Sequence, residues 1–248
     1  MTLEHPEILL VVGLVGLYLY DSTILLLSNE GILNPVSGSR WAVLFGSERF
    51  QIRGKEPFMP NPLLPHRPLF RLSWPTEGLV VGPIQQWSPP TNIYYPLAPM
   101  IWGMAIALFC LIPLGLFSRL GILAVVAGIA LFYASTLSAL AWVWMKRSQY
   151  QCSNKRFVAL AFESLTCPPF ALNLIRHLSA EVYVPEDLLS ASRRFLSEED
   201  WSNALGRLIS RVDNEIAWES EGTDRAFALN LHRRNLLEES KSCQALNF

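Results

Sequence analysis

Apolar residues along this chain gather into three long runs, Ile8 to Leu27, Leu97 to Phe117 and Leu120 to Met145. Each is close to the ~20 helical residues that the ~30 Å core of a bilayer requires. The second and third runs carry no charged residue, and only Ser118 and Arg119 separate them, which predicts a tight antiparallel hairpin. The expected fold class is an integral membrane protein, mainly α, with three transmembrane helices (one plus the hairpin). To these the pattern adds a small cytoplasmic loop containing a β-hairpin and a helical cytoplasmic C-terminal region. The expected boundaries are a leader and first span at 1–27, the loop at 28–96, the hairpin at 97–147, the helical region at 148–239 and a tail at 240–248.

Within the third span Ala127, Ala130, Ala134, Ser138 and Ala141 recur every three or four residues. Gly103, Ala107 and Cys110 do the same in the second. Small residues let helix backbones approach closely, so these two strips are expected to pack together within the hairpin, the alternative being that a partner protein's helix uses one of them. Pro99 and Pro113 are expected to cap or bend the second span, because proline removes a donor and crowds the preceding turn.

Lys146, Arg147, Lys155 and Arg156 follow the third span, whereas the hairpin tip has Arg119 alone. The 28–96 loop adds Arg40, Arg49, Arg53, Lys55, Arg67 and Arg71. The positive-inside bias therefore places both polar segments in the cytoplasm, with the N-terminus and hairpin tip outside. Trp142, Trp144, Tyr94 and Tyr95 supply interfacial aromatics at that boundary. The leader, Met1 to Glu7, is acidic where a secretory signal needs basic residues, and the first run is read as a retained helix.

Inside the loop, Arg40 to Phe45, Gly46-Ser47 and Glu48 to Arg53 read as a β-hairpin in which Val43 faces Phe50 and Trp41 faces Ile52. Further strands are expected at Leu69 to Trp74 and Gly78 to Gly82. Between them the five prolines from Pro57 to Pro68 predict an extended strap. Asn61, His66, Arg67 and Arg71, in and beside it, are candidates for docking a partner. In the C-terminal region, Arg156 to Leu165 and Pro169 to Leu178 read as short apolar helices. A longer helix is expected from Glu198 to Trp218, capped by Ser197. Its stripe of Trp201, Leu205, Leu208 and Val212 is either core or a second docking face.

Hydrophobic residues make up 51% of the 248 and charged residues 17%, too apolar for an ordinary soluble chain. A net charge of −1 gives no basic excess for nucleic acid. Cys110, Cys152, Cys167 and Cys243 form no CxxC pair, and His5, His66, His177 and His232 lie far apart, so no metal or cofactor is expected. No phosphate-binding loop or nucleophile elbow is present.

Asp21 is the one carboxylate within a predicted span, which makes it the intramembrane polar candidate. Alternatively Asp21-Ser22-Thr23 marks an early helix end. The functional expectation is a membrane-anchored accessory or scaffolding protein, plausible in a bacterial inner membrane, whose partners are the bilayer and a protein or a second copy. The alternatives are a membrane enzyme or subunit with a site at the cytoplasmic interface and a transporter component using Asp21.

Overall fold

The computed structural model describes residues 6–37, 40–74, 87–119, 121–220 and 222–245. The chain forms two compact units, one of Met1–Ile24, Met59–Pro68 and Pro89–Val182, the other of Leu25–Phe58, Leu69–Ser88 and Tyr183–Phe248.

In the first unit, α1 (Pro6–Ser22) is 17 residues long, or ~25 Å. It stops at Ser22 although the apolar run continues to Leu27. Hydroxyls take up its last carbonyls, Ser22 Oγ donating to Tyr18 O at 2.7 Å and Thr23 Oγ1 to Leu19 O at 3.0 Å. Ile24–Leu26 then forms strand β1. The first apolar run is thus a helix and a strand rather than one helix, and Asp21 sits in its last turn.

The second run is helical over Thr91–Phe117. It begins in tight turns, continues as α2 (Ala98–Ile106), widens to a π-turn over Ala107–Leu111, and ends as α3 (Ile112–Phe117). Pro99 lies in the first turn of α2, where its missing N–H has no role. Pro113 would drive its ring into the carbonyl one turn back, that of Phe109, and the π-turn around Phe109 accommodates this. The third run forms α4 (Gly121–Met145). Thr91–Phe117 and Gly121–Met145 are both long and apolar enough to cross a membrane, and their most apolar windows are only 28% buried within the protein.

Helix α4 meets α2 and α3 along Ala124, Gly128, Phe132, Thr136 and Ala139. The strip Ala127, Ala130, Ala134, Ser138 and Ala141 is exposed, which corrects the expected packing face. On the partner helix Ala107 is buried but Cys110 is exposed. Glycine sets the approach: a Cβ at Gly115 would lie 2.7 Å from Val125 N and 2.9 Å from Gly121 O, and one at Gly128 would lie 2.9 Å from Ile112 Cγ1. The spacing rule finds a stripe but not its direction, because alternative small-residue stripes lie on opposite sides of the same helix.

After α4, Tyr150 Oη donates to Ile93 O at 2.6 Å, tying the two apolar helices together at one end. Burial pushes this phenol up to about 12, so it stays a donor at physiological pH. Helices α5 (Asn154–Thr166), α6 (Pro168–Leu172) and α7 (Leu174–Ala180) complete the unit, with α6 packed against α1, α2 and α5.

The second unit holds a three-stranded antiparallel sheet in the order β3-β2-β5, made of β2 (Glu30–Ser37), β3 (Arg40–Leu44) and β5 (Phe70–Ser73). Strand β3 pairs with β2, Leu33 opposite Val43 and Pro35 opposite Trp41, so the expected hairpin with 48–53 is corrected. Glu48–Arg53 makes no strand; Arg53 and Gly54 have φ of 52° and 75° and form a tight turn between Ile52 and Lys55. Strand β4 (Glu56–Phe58) follows and pairs with β1. The expected third strand appears as β5, while Gly78 to Gly82 lies outside the described residues.

Helices α8 (Leu188–Phe195), α9 (Glu198–Trp218) and α10 (Asp224–Ala245) complete this unit. Asp187 caps α8, accepting from Leu189 N and Ser190 N, and Ser197 caps α9, accepting from Asp200 N. Trp201, Leu205, Leu208 and Val212 are buried, alongside Leu229 and Leu236 of α10, so the α9 stripe lies in the core of its own unit.

Candidate functional site

The polar side chains of the first unit converge on the end of α1. Asn173, between α6 and α7, is fully buried, and its amide is used on every side. Its Nδ2 donates to Asp21 Oδ2 at 2.8 Å and to Ser22 Oγ at 3.0 Å, while its Oδ1 accepts from Arg176 Nη1 at 2.9 Å. Arg176 extends the network into the proline strap, its Nη2 donating to Asn61 O at 2.6 Å and Leu64 O at 3.2 Å. Tyr18 Oη donates to Pro62 O at 2.5 Å.

Asn61 O and Leu64 O already accept the Leu64 and Arg67 backbone N–H groups at 3.2 and 3.3 Å, and their second lone pairs take the guanidinium, while prolines 60, 62, 65 and 68 keep the segment from forming a regular element. Asn61 Oδ1 takes the Leu63 N–H at 3.0 Å, closing a local turn. One guanidinium and one phenol therefore fasten a segment that has few internal bonds of its own. Arg176 and Asp21 also place a positive and a negative charge on opposite sides of Asn173, so that the amide dipole is aligned between them.

The outer edge of the network is a His–Asp pair. His177 Nε2 lies 3.2 Å from Asp21 Oδ2, and the imidazole stacks on Phe170 with ring centroids 4.0 Å apart and planes 13° from parallel. Both side chains keep partial solvent access. A neutral His177 must hold its proton on Nε2 to donate to Asp21, leaving Nδ1 as an acceptor; a protonated one forms an ion pair. This pair is the part of the cluster with a chemically available group.

Asp21 thus lies at a helix end, bonded to partners about 150 residues away in the chain. His66 packs on Trp102 with centroids 5.5 Å apart, and its Nδ1 is buried without a hydrogen-bond partner among the described residues. Burial foremost, then the charges of Arg67 and Arg176, hold His66 below its usual value of 6.5. The Arg67 backbone N–H donates to Leu64 O at 3.3 Å. Arg71 belongs to the second unit, where it pairs with Glu30 on the neighbouring strand and reaches Leu25 O at 3.3 Å. Asn173, Arg176 and His177 are not singled out by motif or spacing. The available signal was that an asparagine, an arginine and a histidine interrupt an otherwise apolar run from Pro168 to Leu178.

The second unit has its own buried ion pair. Arg211 of α9 donates to Glu56 Oε2 at 2.6 Å and to Gly46 O at 2.7 Å, with its guanidinium 4.8 Å from the Phe45 ring centre. It fixes the 45–58 segment to the helix. Among the described residues no three His, Cys, Asp or Glu side chains come together as a metal-ligand set. Compared with protein-family models, with curated proteins and with solved structures, the chain matches none.

Proposed function

We propose that this chain is a membrane-anchored accessory protein that holds a folded polar unit at the cytoplasmic face of a bacterial inner membrane for a protein partner. The observation that carries the reading is the outward distribution of large apolar side chains. Ile122, Leu123, Val126, Leu137, Ile106 and Phe117 are all exposed on the two long apolar helices. Contiguous apolar surface of that extent needs lipid or protein to cover it. Helix α1 likewise exposes Leu9, Leu10, Val12 and Leu17, which supports a third membrane segment despite its length near the lower limit for spanning.

The polar cluster supports the topology. Residues after α4 bond to the end of α1 and to the segment before α2, which is expected if all three lie at one membrane face. Apart from Arg176 Nε, its buried polar side-chain atoms find partners within the cluster or in the strap, and that suits a clamp holding the strap in place. In the second unit, Trp218 is 91% exposed and Phe227 75% exposed, at the adjoining ends of α9 and α10. Large aromatics in such a position are available for a protein contact.

Affinity purification of the full chain in mild detergent tests the reading. A protein partner recovered in fixed ratio and lost on Trp218→Ser and Phe227→Ser is expected. Recovery of the chain alone and monodisperse overturns it. The partly accessible Asp21–His177 pair favours one second reading, an interfacial enzyme with His177 as proton acceptor. That reading requires His177→Gln to abolish the cellular phenotype while membrane insertion and partner recovery stay normal.

A further inference from the structure

After α4 the chain turns over residues 146–153, and α5 runs back along α4 instead of leading away from it. Near the end of α4, Trp144 meets Phe157 with ring centroids 4.9 Å apart. Halfway along α4, Tyr133 Oη lies 3.5 Å from Leu165 O. From Trp144 to Tyr133 α4 covers ~16 Å, and from Phe157 to Leu165 α5 covers ~12 Å, so the two helices are antiparallel and the reach of the tyrosine makes up the difference. The chain reverses at Cys167-Pro168-Pro169, and α6 and α7 return on the inner side, where α6 packs against α1, α2 and α5. At its open end the hairpin is closed by Arg156, whose Nη2 donates to His177 O at 2.7 Å.

The outer face of α5 is apolar. Val158 is 64% exposed and Phe162 68%, four residues apart and therefore on one stripe, and the adjoining helix α4 exposes Tyr133 and Leu137. The backbone at the tip finds partners without water: Thr166 Oγ1 donates to Phe162 O at 2.8 Å, Cys167 N to Glu163 O at 2.8 Å and Phe170 N to Cys167 O at 3.0 Å. Pro168 and Pro169 bring no N–H to the tip at all. Irregular backbone in a bilayer has to meet that condition. Past Arg156, Glu163 is the one charged residue on α5. Helical side chains lean towards the N-terminus, which for α5 is the open end of the hairpin, so this carboxylate is carried back towards the headgroups.

From these observations we infer that residues 153–180 form a re-entrant hairpin, which enters the bilayer from the cytoplasmic face and returns to it, and that the outer face of α5 binds lipid acyl chains. Helix α5 has 13 residues, too few to cross a bilayer and enough to enter one leaflet. The ~16 Å from Trp144 to the level of Leu165 is about half of the ~30 Å hydrocarbon core, which puts the tip near the midplane. Lipid is the occupant because the exposed stripe continues the apolar surface of α4, the helix against which α5 lies. Interpolating between the two contacts places Phe162 level with Leu137, and Val158 level with Trp142 and Val143. The inference rests on the membrane-anchor reading and moves the start of the polar region from residue 148 to the end of α7.

Nitroxide labels on the full chain test it, with the four native cysteines replaced by serine and the protein reconstituted in vesicles of phosphatidylethanolamine and phosphatidylglycerol. Lys155→Cys, Val158→Cys, Phe162→Cys and Leu137→Cys, all at exposed positions, are labelled in turn. Collision with oxygen, which concentrates among acyl chains, is compared with collision with a water-soluble nickel chelate. The oxygen-to-nickel ratio should rise from 155 through 158 to 162, about tenfold in all, and agree within twofold between 162 and 137. Equal ratios at 155, 158 and 162, with 137 in lipid, would mean a helix lying flat or in water; they would overturn the inference and leave the anchor standing. A label at 162 shielded from both reagents would overturn it too, by placing a second copy or a partner protein on α5. A label at 137 open to nickel would remove the anchor reading and the re-entrant hairpin with it.

Discussion

Arg176→Met should release the proline strap. The native guanidinium makes three hydrogen bonds, to Asn173 Oδ1, Asn61 O and Leu64 O. Asn173 is fully buried, so its stranded oxygen loses about 1–3 kcal/mol of compensation for its desolvation. Asn61 is exposed and Leu64 half-buried, so their carbonyls recover water and contribute about 0.5–1.5 kcal/mol each. Part of this is offset because a buried charge no longer has to be desolvated. A net cost of about 3 kcal/mol follows, a little over a hundredfold in the open population of the strap. Amide exchange of the full chain in detergent reads it directly, since Leu64 N donates to Asn61 O and Arg67 N to Leu64 O. Both should exchange about a hundredfold faster, while amides in the middle of α4 stay unchanged. Exchange at Leu64 and Arg67 within twofold of native would refute the assignment of Arg176 as the strap's fastener.

Four further outcomes are expected. Gly115→Ala forces a Cβ against Val125 N and Gly121 O and should destabilise the apolar helix pair by about 1–3 kcal/mol, whereas Gly13→Ala, with nothing within 4 Å, should be neutral or gain about 0.5–1 kcal/mol in a detergent thermal melt. Arg211→Met strands the buried Glu56 carboxylate and should lower the stability of the second unit by about 3–5 kcal/mol; adding Glu56→Leu should recover much of that, as followed by denaturant titration. His66 is held below 6.5 in the folded state, so its contribution is present above that value and is lost as pH falls through its folded value. Strap protection, measured as exchange relative to the intrinsic rate at each pH, should therefore fall below about pH 6.5, and His66→Gln should remove that component. Tyr18→Phe deletes the bond to Pro62 O and should weaken the strap by about 1 kcal/mol in the same exchange measurement.

The two long apolar helices were legible because an uncharged run of that length has one economical explanation, and the strand at 70–73 because its alternation is local. The early stop of α1 was less visible. Ile24 to Leu27 are as apolar as the helix before them, and only the Ser22 and Thr23 hydroxyls mark the end. The hairpin was misassigned for a related reason. Trp41 and Val43 alternate well, but their true partner strand contains Gly31, Asn34 and Pro35, a poor match to a strand pattern that tertiary packing nevertheless selects. Within the site, Asp21 stood out as a carboxylate in an apolar run. Its partners could not be paired with it, because a contact between residues 21 and 173 depends on how α6 packs against α1 and leaves no periodic trace.

The central claim, an anchor of apolar helices with the polar unit held on the cytoplasmic side, is tested by single-cysteine labelling in intact bacterial cells. On a background with the four native cysteines replaced by serine, Arg119→Cys and Arg225→Cys are exposed in turn to a membrane-impermeant maleimide. Labelling of the hairpin-tip cysteine in intact cells, with the α10 cysteine reacting only after lysis, is the expected result. Labelling of the α10 cysteine from outside, or recovery of the chain in the soluble fraction, would contradict it.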